Sequence, residues 1–248
     1  MATGMQTAVG RFVWHDLSST DVGAAKRFYT DLLGWDVETW KPGEMDYDMI
    51  SANGQMHGGF GAAQGGAPSG WIGHVVVDDL DAARKRVESA GGAVVGDPMD
   101  IPEVGQILII RDPQGAMISA YKPASDAPAS EGVFVWDELY TSDVEAAKRF
   151  YGEVFGWTAK DMPMGDGTYT MFQLGETGVA GALKIGPDHQ HVPPHWYPYL
   201  ATADVDATTA KAKEFGAQVF VEPMDIPDMG RFSVLGDPTG ATFGLFQG

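Results

Sequence analysis

The sequence predicts an α+β protein made of two tandem domains, each built from two βαβββ modules. Three observations lead to this prediction: an internal repeat, the same order of short strands and helices in both copies, and the length of 248 residues. A chain of this length is long enough for two small domains. With 44% hydrophobic residues it can also bury an apolar core in each.

The repeat is clearest at the start of each copy. Val13–Trp35 aligns with Val135–Trp157 at an offset of 122, and both segments contain Ala-Ala-Lys-Arg-Phe-Tyr. Further on, Pro98–Pro102 recurs as Pro223–Pro227, now at an offset of 125. The segment between the copies is rich in Pro, Ala and Ser, as is typical of an exposed linker. We therefore predict domains at 8–122 and 132–248, joined by a linker at 123–131.

The first module begins with a short apolar strand, Phe12-Val-Trp14. Thr20 or Asp21 can cap the helix that follows, and Gly34 can end it. The apolar residues of this helix recur at helical spacing and are Val22, Ala25, Tyr29 and Leu32. Three short strands are then predicted at about 37–40, 46–52 and 56–62.

The second module repeats this order. A strand at Trp71–Val77 leads to a helix from Asp79 to about Ala90, which Gly91-Gly92 stops. Strands near 93–96, 106–111 and 116–121 complete it. The second copy predicts the same pair of modules. Its modules begin at Phe134 and Trp196, and its helices lie at Asp143–Phe155 and Asp204–Phe215.

Charge and composition narrow the possible partners. Lysine and arginine total 16 against 34 acidic residues, giving a formal charge of −18. Such a chain repels phosphate backbones and anionic lipids, so we expect no nucleic acid and no membrane as partners. The absence of cysteine excludes disulfides and thiolate nucleophiles. The N-terminus does not resemble a secretion signal, and no stretch is long enough to span a membrane, so a cytoplasmic location is expected.

Two motifs carry a family resemblance. Two patterns resemble the vicinal-oxygen-chelate superfamily: Asp21-x-x-Ala-Ala-x-x-Phe-Tyr-x-x-Leu-Leu-Gly-Trp35 and the later Asp112-Pro-x-Gly115. Both recur in the second copy, the first with Val154-Phe155 in place of Leu-Leu. This superfamily contains glyoxalases, bleomycin resistance proteins and extradiol dioxygenases, and the chain is most similar to its two-domain members labelled as hydroxylases or glyoxalase-like proteins. The resemblance implies paired βαβββ modules that curl into a cup, which in many members holds a divalent metal.

The residues at the ligand positions that the resemblance implies do not favour a metal. Metal-dependent members use His, His or Gln, and Glu there, because a divalent metal needs nitrogen or carboxylate donors. In this chain the positions carry Trp14, Ile72 and Ser119 in the first copy, and Trp136, Tyr197 and Gly244 in the second. We therefore predict no metal and no cofactor.

Several histidines lie near these positions or in a loop. A shift in strand register at both His15 and His74 would bring two of them into place, but Ser119 would still leave the carboxylate missing. Strand alternation places His15 on the face opposite Trp14, where an exposed or hydrogen-bonded polar residue is favoured. His189, His191 and His195 lie in a proline-rich loop and are interpreted as solvated.

Aromatic residues are predicted to line the cups instead. If Trp14 and Trp136 point inward, alternation carries Phe12 and Phe134 onto the same faces. The other inward strands add the remaining predicted ligand-binding residues, which are Ser119, Tyr121, Tyr197, Tyr199 and Phe246. Such walls suit a small planar, hydrophobic or cationic molecule. The alternative is that these aromatic residues pack the cups shut as core.

Asp16 and Glu138, two residues beyond the tryptophans, are candidate catalytic groups together with His74. Burial beside tryptophan is expected to raise the pKa of each carboxyl and to suit it for acid–base chemistry. Alternatively, each carboxylate accepts hydrogen bonds from turn amides ahead of the helix. If modules pair within a copy, Asp16 meets His74. If they are exchanged, Asp16 meets Tyr199 and Glu138 meets His74.

Three functions remain open on the sequence. The first is a small-molecule-binding protein of the bleomycin resistance type, without the usual metal triad. The second is a metal-independent acid–base enzyme using Asp16, Glu138 and His74, and the third is a divalent-metal-dependent glyoxalase or dioxygenase. The copies differ at His74 and its counterpart Tyr199, which predicts unequal sites. The chain is expected to be a monomer or a homodimer.

Overall fold

The computed structural model describes residues 9–41, 47–125, 132–165 and 167–248. These residues form an α+β fold in which helices and strands follow the predicted order in both copies. The predicted linker at 123–131 lies mostly outside the described residues. None of the helices in the described ranges is long and apolar enough to span a membrane.

Four helices lie in the described residues: α1 Val22–Leu33, α2 Leu80–Ser89, α3 Val144–Phe155 and α4 Val205–Glu214. Each follows an aspartate whose carboxylate accepts a hydrogen bond from the amide three residues on, and these caps are Asp21, Asp79, Asp143 and Asp204. The predicted Asp21 cap is therefore confirmed. Gly34 ends α1 in the left-handed conformation (φ 71°), where glycine meets no Cβ penalty.

The strands of the first copy are β1 Phe12–Ser19, β2 Asp36–Trp40, β3 Tyr47–Ala52, β4 Gln55–Ala62, β5 Gly70–Val76, β6 Ala93–Val94, β7 Met99–Ile101, β8 Gly105–Arg111 and β9 Met117–Pro123. Those of the second are β10 Phe134–Thr141, β11 Thr158–Met164, β12 Gly167–Leu174, β13 Thr177–Lys184, β14 His195–Ala201, β15 Gln218–Ile226, β16 Gly230–Gly236 and β17 Thr242–Gln247. Only β7 was not predicted, and a short 3₁₀ helix at Pro187–His189 precedes β14.

The chain packs into two compact units that do not coincide with the two sequence copies. The first unit contains the described residues of 9–13, 73–125 and 136–196, and the second contains those of 14–72, 132–135 and 197–248. Each compact unit therefore combines one module of the first copy with one module of the second.

In the first compact unit the strands run β5-β9-β8-β6, with β7 also paired to β8, and β11-β12-β13-β10. Helices α2 and α3 pack together, and the apolar core includes Phe150, Tyr151, Phe155, Trp157, Phe172 and Trp196. In the second compact unit the orders are β2-β3-β4-β1 and β14-β17-β16-β15. There α1 packs on α4, and the core includes Phe28, Tyr29, Trp35, Trp71, Phe134 and Phe243.

The aspartate of each Asp-Pro-x-Gly turn anchors one core. Asp112 accepts hydrogen bonds from the amides of residues 114 to 116 through Oδ1 and from the Tyr151 hydroxyl, 2.9 Å away, through Oδ2. The indole of Trp196 donates in turn to the Tyr151 oxygen at 2.8 Å. Tyr29, Trp71 and Asp237 make the matching set in the second compact unit. The motif thus joins the two copies within each unit and has a structural role.

Candidate ligand-binding site

The first candidate site is a hydrogen-bonded triad of Trp14, Asp16 and Tyr47, which we call the first triad. The Trp14 indole Nε1 donates to Asp16 Oδ1 at 3.0 Å and to Tyr47 Oη at 2.9 Å. The Tyr47 hydroxyl also donates to Asp16 Oδ1. One carboxylate oxygen therefore accepts two neutral donors, and the three side chains close a ring of hydrogen bonds.

Strand alternation brings these side chains to one face. Along β1 the odd-numbered residues are buried and the even-numbered ones, Trp14 and Asp16 among them, are half-buried. Asp16 lies opposite Gly59 of β4, which in turn lies opposite Met49 of β3, two residues beyond Tyr47. A Cβ on Gly59 would overlap the Tyr47 hydroxyl, so the glycine allows the phenol to cross β4 and reach the carboxylate.

The matching residues of the second copy, Trp136, Glu138 and Tyr169, form a related set in the first compact unit, which we call the second triad. Trp136 Nε1 donates to Tyr169 Oη at 2.8 Å, and the Tyr169 hydroxyl donates to Glu138 Oε2 at 3.0 Å. Gly181 of β13 lies opposite Glu138, and a Cβ there would overlap the Tyr169 hydroxyl. The glycine beneath the phenol is thus common to both triads.

Burial and the neighbouring carboxylate set the protonation of both phenols. Desolvation, reinforced by the charge of Asp16, raises the pKa of Tyr47 well above its usual value. Desolvation and Glu138 raise the pKa of Tyr169 in the same way. Both hydroxyls therefore stay protonated at neutral pH and act as hydrogen-bond donors to the carboxylates.

Tyr47 and Tyr169 were missed in the sequence analysis. They are separated by 122 residues, the same offset that relates Trp14 to Trp136 and Asp16 to Glu138. Extending the first alignment block through the third predicted strand would have found them. The carboxylates were predicted to meet turn amides or to act as acid–base groups, whereas the hydrogen bonds described above come from indole and phenol side chains.

Three predicted residues of the first copy lie on neighbouring strands of the first compact unit. His74 on β5 is paired with Ser119 on β9, and both are buried. Tyr121, two residues beyond Ser119, donates from its hydroxyl to the carbonyl of Val104 at 2.8 Å, and burial raises its pKa. The catalytic role of His74 and the ligand contacts of Ser119 and Tyr121 stay predictions.

The corresponding positions of the second copy are more aromatic. Tyr199 replaces His74 and is paired with Gly244, the counterpart of Ser119. A Cβ on Gly244 would overlap the Tyr199 ring, so this tyrosine lies directly on the glycine. Tyr197 lies 5.6 Å from Tyr199 between ring centroids, and both rings are buried. Phe246, paired with Phe232 of β16, is half-buried.

Phe12 and Phe134 are used as core. Phe12 packs against Trp157 and Trp196 of the first compact unit, with ring centroids 5.8 and 5.7 Å away. Phe134 is 7% exposed and contacts Trp71 at 5.4 Å in the core of the second unit. These contacts agree with the alternative prediction that aromatic residues pack as core. Ligand binding by Phe12 or Phe134 stays a prediction.

The residues at the implied metal positions do not fit a divalent metal. The indoles of Trp14 and Trp136 present N–H donors that are committed to the phenols, and Gly244 offers no side-chain donor. Within the described ranges, no cluster of three or more His, Asp or Glu residues has the arrangement of a metal site. We therefore derive no chemistry through a metal.

Three of the other histidines make local contacts. His15 is buried and stacks on Phe134 at 4.0 Å, so it lies on the face opposite Trp14 as predicted, but it is not exposed. His57 is also buried and lies 3.2 Å from the carbonyl of Ala52. His195 lies beside the carbonyl of Pro193, and burial lowers its pKa.

The chain matches a family model, related sequences and solved structures. The model of the Glyoxalase/Bleomycin resistance protein/Dioxygenase superfamily matches residues 11–119 and 134–245. "Putative glyoxylase CFP32" of Mycobacterium tuberculosis is 38% identical, over 94% of this chain and 93% of its own length. "Anthracycline biosynthesis protein DnrV" of Streptomyces peucetius is 34% identical, over 97% of this chain and 94% of its own.

Among solved structures, the 2,2',3-trihydroxybiphenyl 1,2-dioxygenase of Sphingomonas wittichii strain RW1 superimposes with a TM-score of 0.69. The match covers 97% of this chain and 91% of the dioxygenase at 17% sequence identity. At this identity the likeness shows the fold alone.

Proposed function

Because the chain belongs to the Glyoxalase/Bleomycin resistance protein/Dioxygenase superfamily, we propose that it is a small-molecule-binding member that needs no divalent metal. The observation that carries the proposal is the Trp–Tyr–carboxylate triad, which occurs once in each copy. A triad of this kind offers an indole and a phenol for stacking and a carboxylate for a polar group of the ligand.

The chemistry of the triad indicates the class of ligand. When ionised, a carboxylate accepts hydrogen bonds and donates none, as Asp16 does toward the indole of Trp14 and the phenol of Tyr47, so it suits a ligand that supplies a donor. A hydroxyl or a protonated amine meets this need, and the −18 charge of the chain attracts a cation. An aromatic ring beside Trp14 would add stacking or cation–π contact. The proposed ligand is therefore planar and carries a hydroxyl or cationic group.

Anthracyclines have this chemistry, since they are planar hydroxylated polycyclic quinones with an amino sugar. DnrV, 34% identical to this chain, is named for anthracycline biosynthesis. This supports daunorubicin, an anthracycline with an amino sugar, as the first compound to test.

The proposal is tested by calorimetric titration of the chain with daunorubicin, before and after treatment with a metal chelator. We expect saturable binding that the chelator does not change. Trp14→Phe keeps an aromatic ring, although a smaller one, and removes the N–H, whereas Asp16→Asn removes the charge. Loss of a hydrogen bond to a charged group weakens binding by roughly 10- to 100-fold. Binding that requires added Mn²⁺ or Zn²⁺, or that is unchanged in both variants, would contradict the proposal.

A metal-independent acid–base enzyme is the second candidate, favoured by the direct hydrogen bond from Tyr47 to Asp16. This bond would hold the Asp16 carboxyl in position while that carboxyl exchanges a proton with a substrate group. If this candidate is correct, Tyr47→Phe lowers kcat of a metal-free reaction much more than it raises KM. If Tyr47→Phe weakens ligand binding and changes no turnover, the binding protein is favoured.

A further inference from the structure

We propose that Asn53 is a modification site, at which the side-chain amide is lost through a cyclic imide formed with Gly54. The products are aspartate and isoaspartate in the turn between β3 and β4. Asn53 is the only asparagine among the 248 residues, and a glycine follows it. The reaction needs water alone, so this inference does not depend on the proposed function.

The turn presents both reacting residues at the surface. β3 ends at Ala52 and β4 begins at Gln55; these two residues are paired, and Asn53 and Gly54 connect them. Their φ angles are 52° and 76°, as in the type I′ turn that favours Asn-Gly. Both residues are exposed. Solvent can therefore reach the side-chain amide and the backbone nitrogen alike.

Hydrogen bonds do not hold either group in place. In the part of the chain that the structure describes, neither the Asn53 side chain nor the Gly54 N–H has a hydrogen-bond partner. A Cβ on Gly54 would meet no atom within 4 Å, so the space around this residue is open. Without a Cβ, Gly54 also hinders the approach of its nitrogen to Cγ of Asn53 least. Because a loop tip opens locally at little cost in free energy, the two atoms can meet.

The reaction balances without an oxidant or a cofactor. The Gly54 nitrogen loses its proton to a solvent base and forms a bond to Cγ of Asn53. The bond from Cγ to the side-chain nitrogen breaks, and this nitrogen takes up a proton and leaves as ammonia. Water then opens the imide. Attack at Cγ gives aspartate with the original backbone, whereas attack at the main-chain carbonyl carbon gives isoaspartate, in which the chain runs through Cβ and Cγ.

The two products affect the hairpin differently. Aspartate, like asparagine, tolerates the left-handed conformation, so the turn can keep its shape. Isoaspartate adds a backbone atom to a connection of two residues and conflicts with the pairing of Ala52 with Gln55. The same hairpin carries Tyr47 and Gly59 of the first triad. We therefore expect isoaspartate at this position to lower the stability of the hairpin.

The second copy supplies a matched control. Its corresponding turn joins β12 to β13 through Gly175 and Glu176, neither of which has a side-chain amide. Gly175 has a φ of 59°, so this turn also uses the left-handed conformation. Asn53→Gly gives the first copy the residue that the second copy has there, and it leaves Gly-Gly, another favoured type I′ pair. This variant removes the reacting amide and retains the turn.

Prolonged incubation of the wild type and Asn53→Gly in warm, mildly alkaline buffer tests the inference. Peptide mass spectrometry detects replacement of the side-chain NH₂ by OH, and fragmentation by electron transfer distinguishes isoaspartate from aspartate. We expect both products at residue 53 of the wild type. Gln64-Gly65 and Gln114-Gly115 are internal controls and should stay unmodified, because glutamine must close a larger ring. The aged wild type should unfold at a lower urea concentration than the fresh protein, whereas aged Asn53→Gly should not.

A peptide with the sequence Ser-Ala-Asn-Gly-Gln of residues 51–55 shows that the conditions are sufficient. An intact amide at Asn53 after this peptide has been converted would overturn the inference. Conversion to aspartate without isoaspartate would also overturn it, since direct hydrolysis would then replace the imide. An equal fall in the urea midpoint of aged Asn53→Gly would contradict the effect on the hairpin. Both products at residue 53, with loss of stability in the wild type alone, would support the inference.

Discussion

The Tyr151 hydroxyl donates a hydrogen bond of 2.9 Å to Oδ2 of Asp112, although the two residues belong to different copies of the repeat. Both are buried, and burial raises the pKa of the carboxyl despite the donors around it. Desolvation and Asp112 also raise the pKa of the phenol, so Tyr151 remains a donor. This contact joins α3 of the second copy to the turn before β9 of the first.

Tyr151→Phe is expected to destabilise the protein by about 1–3 kcal/mol, because it leaves Asp112 short of a donor and the Trp196 N–H without its acceptor. Urea unfolding measures the effect. The matched control is Tyr121→Phe, which removes a more exposed hydrogen bond to the Val104 carbonyl. Equal losses of stability in the two variants would contradict the structural role of the Tyr151–Asp112 contact.

Both copies contain a cross-strand pair of threonine and aspartate in which the aspartate also binds a lysine. The threonine and the aspartate have exchanged strands between the copies. In the first copy Thr39 on β2 faces Asp48 on β3, and Lys26 contacts Asp48 at 2.5 Å. At the matching positions of the second copy, Asp161 on β11 faces Thr170 on β12, and Lys148 contacts Asp161 at 2.7 Å. In both, the threonine hydroxyl donates to the aspartate at 2.7 Å.

This exchange predicts compensation in a double variant. Asp48→Thr alone should cost about 0.5–1 kcal/mol, as expected for a partly exposed ion pair. Adding Thr39→Asp recreates the order found in the second copy and should recover most of that loss. Urea unfolding of the two single variants and the double variant gives the coupling. Strictly additive effects would show that Lys26 cannot reach across to β2.

The same ion pair predicts a pH dependence. Hydrogen bonds from Lys26 and Thr39 lower the pKa of Asp48 below its ordinary value of 3.8. A lowered pKa in the folded state means that the carboxylate adds stability above the unfolded pKa and loses it as pH falls through the folded pKa. The difference in unfolding free energy between the wild type and Lys26→Met should therefore shrink between about pH 5 and pH 3. A difference that grows on acidification would show the opposite sign of the pKa shift.

Gly59 and Gly61 lie on the same strand and give a controlled test of the first triad. A Cβ at Gly59 would overlap the Tyr47 hydroxyl, whereas at Gly61 it would meet no atom within 4 Å. Gly59→Ala should displace Tyr47 and cost about 1–3 kcal/mol, as overpacking does. Gly61→Ala should be close to neutral. Thermal unfolding together with daunorubicin titration would detect the loss of both stability and binding, and equal behaviour of the two variants would exclude the role assigned to Gly59.

Much of the fold could be predicted from the sequence because local signals agree with it. Asp21 and Gly34 bound α1 as expected, and the alternation of β1 correctly separates Trp14 from His15. The family resemblance, carried by the Asp-Ala-Ala-Phe-Tyr and Asp-Pro-x-Gly patterns, is confirmed over both copies. These features depend on residues close together in the chain.

The candidate site was predictable only in part, because its contacts join distant segments. Trp14 and Asp16 were identified by strand alternation, but Tyr47 lies 31 residues beyond Asp16 and reaches it only across Gly59. Phe134 satisfies the same alternation as Trp136, yet it packs in the core of the second compact unit. Periodicity identifies a face of a strand, whereas the partner of that face depends on tertiary packing.

Each compact unit draws one module from each copy, and this has a consequence for how the sequence can vary. A substitution at Asp112 changes the surroundings of Tyr151, and one at Tyr29 changes those of Asp237. The sequence of each copy therefore constrains the substitutions that the other copy can accept. Substitutions that are harmful singly can become tolerable when the facing residue in the other copy changes too. Replacing one copy with that of a relative should therefore fail more often than replacing a complete compact unit.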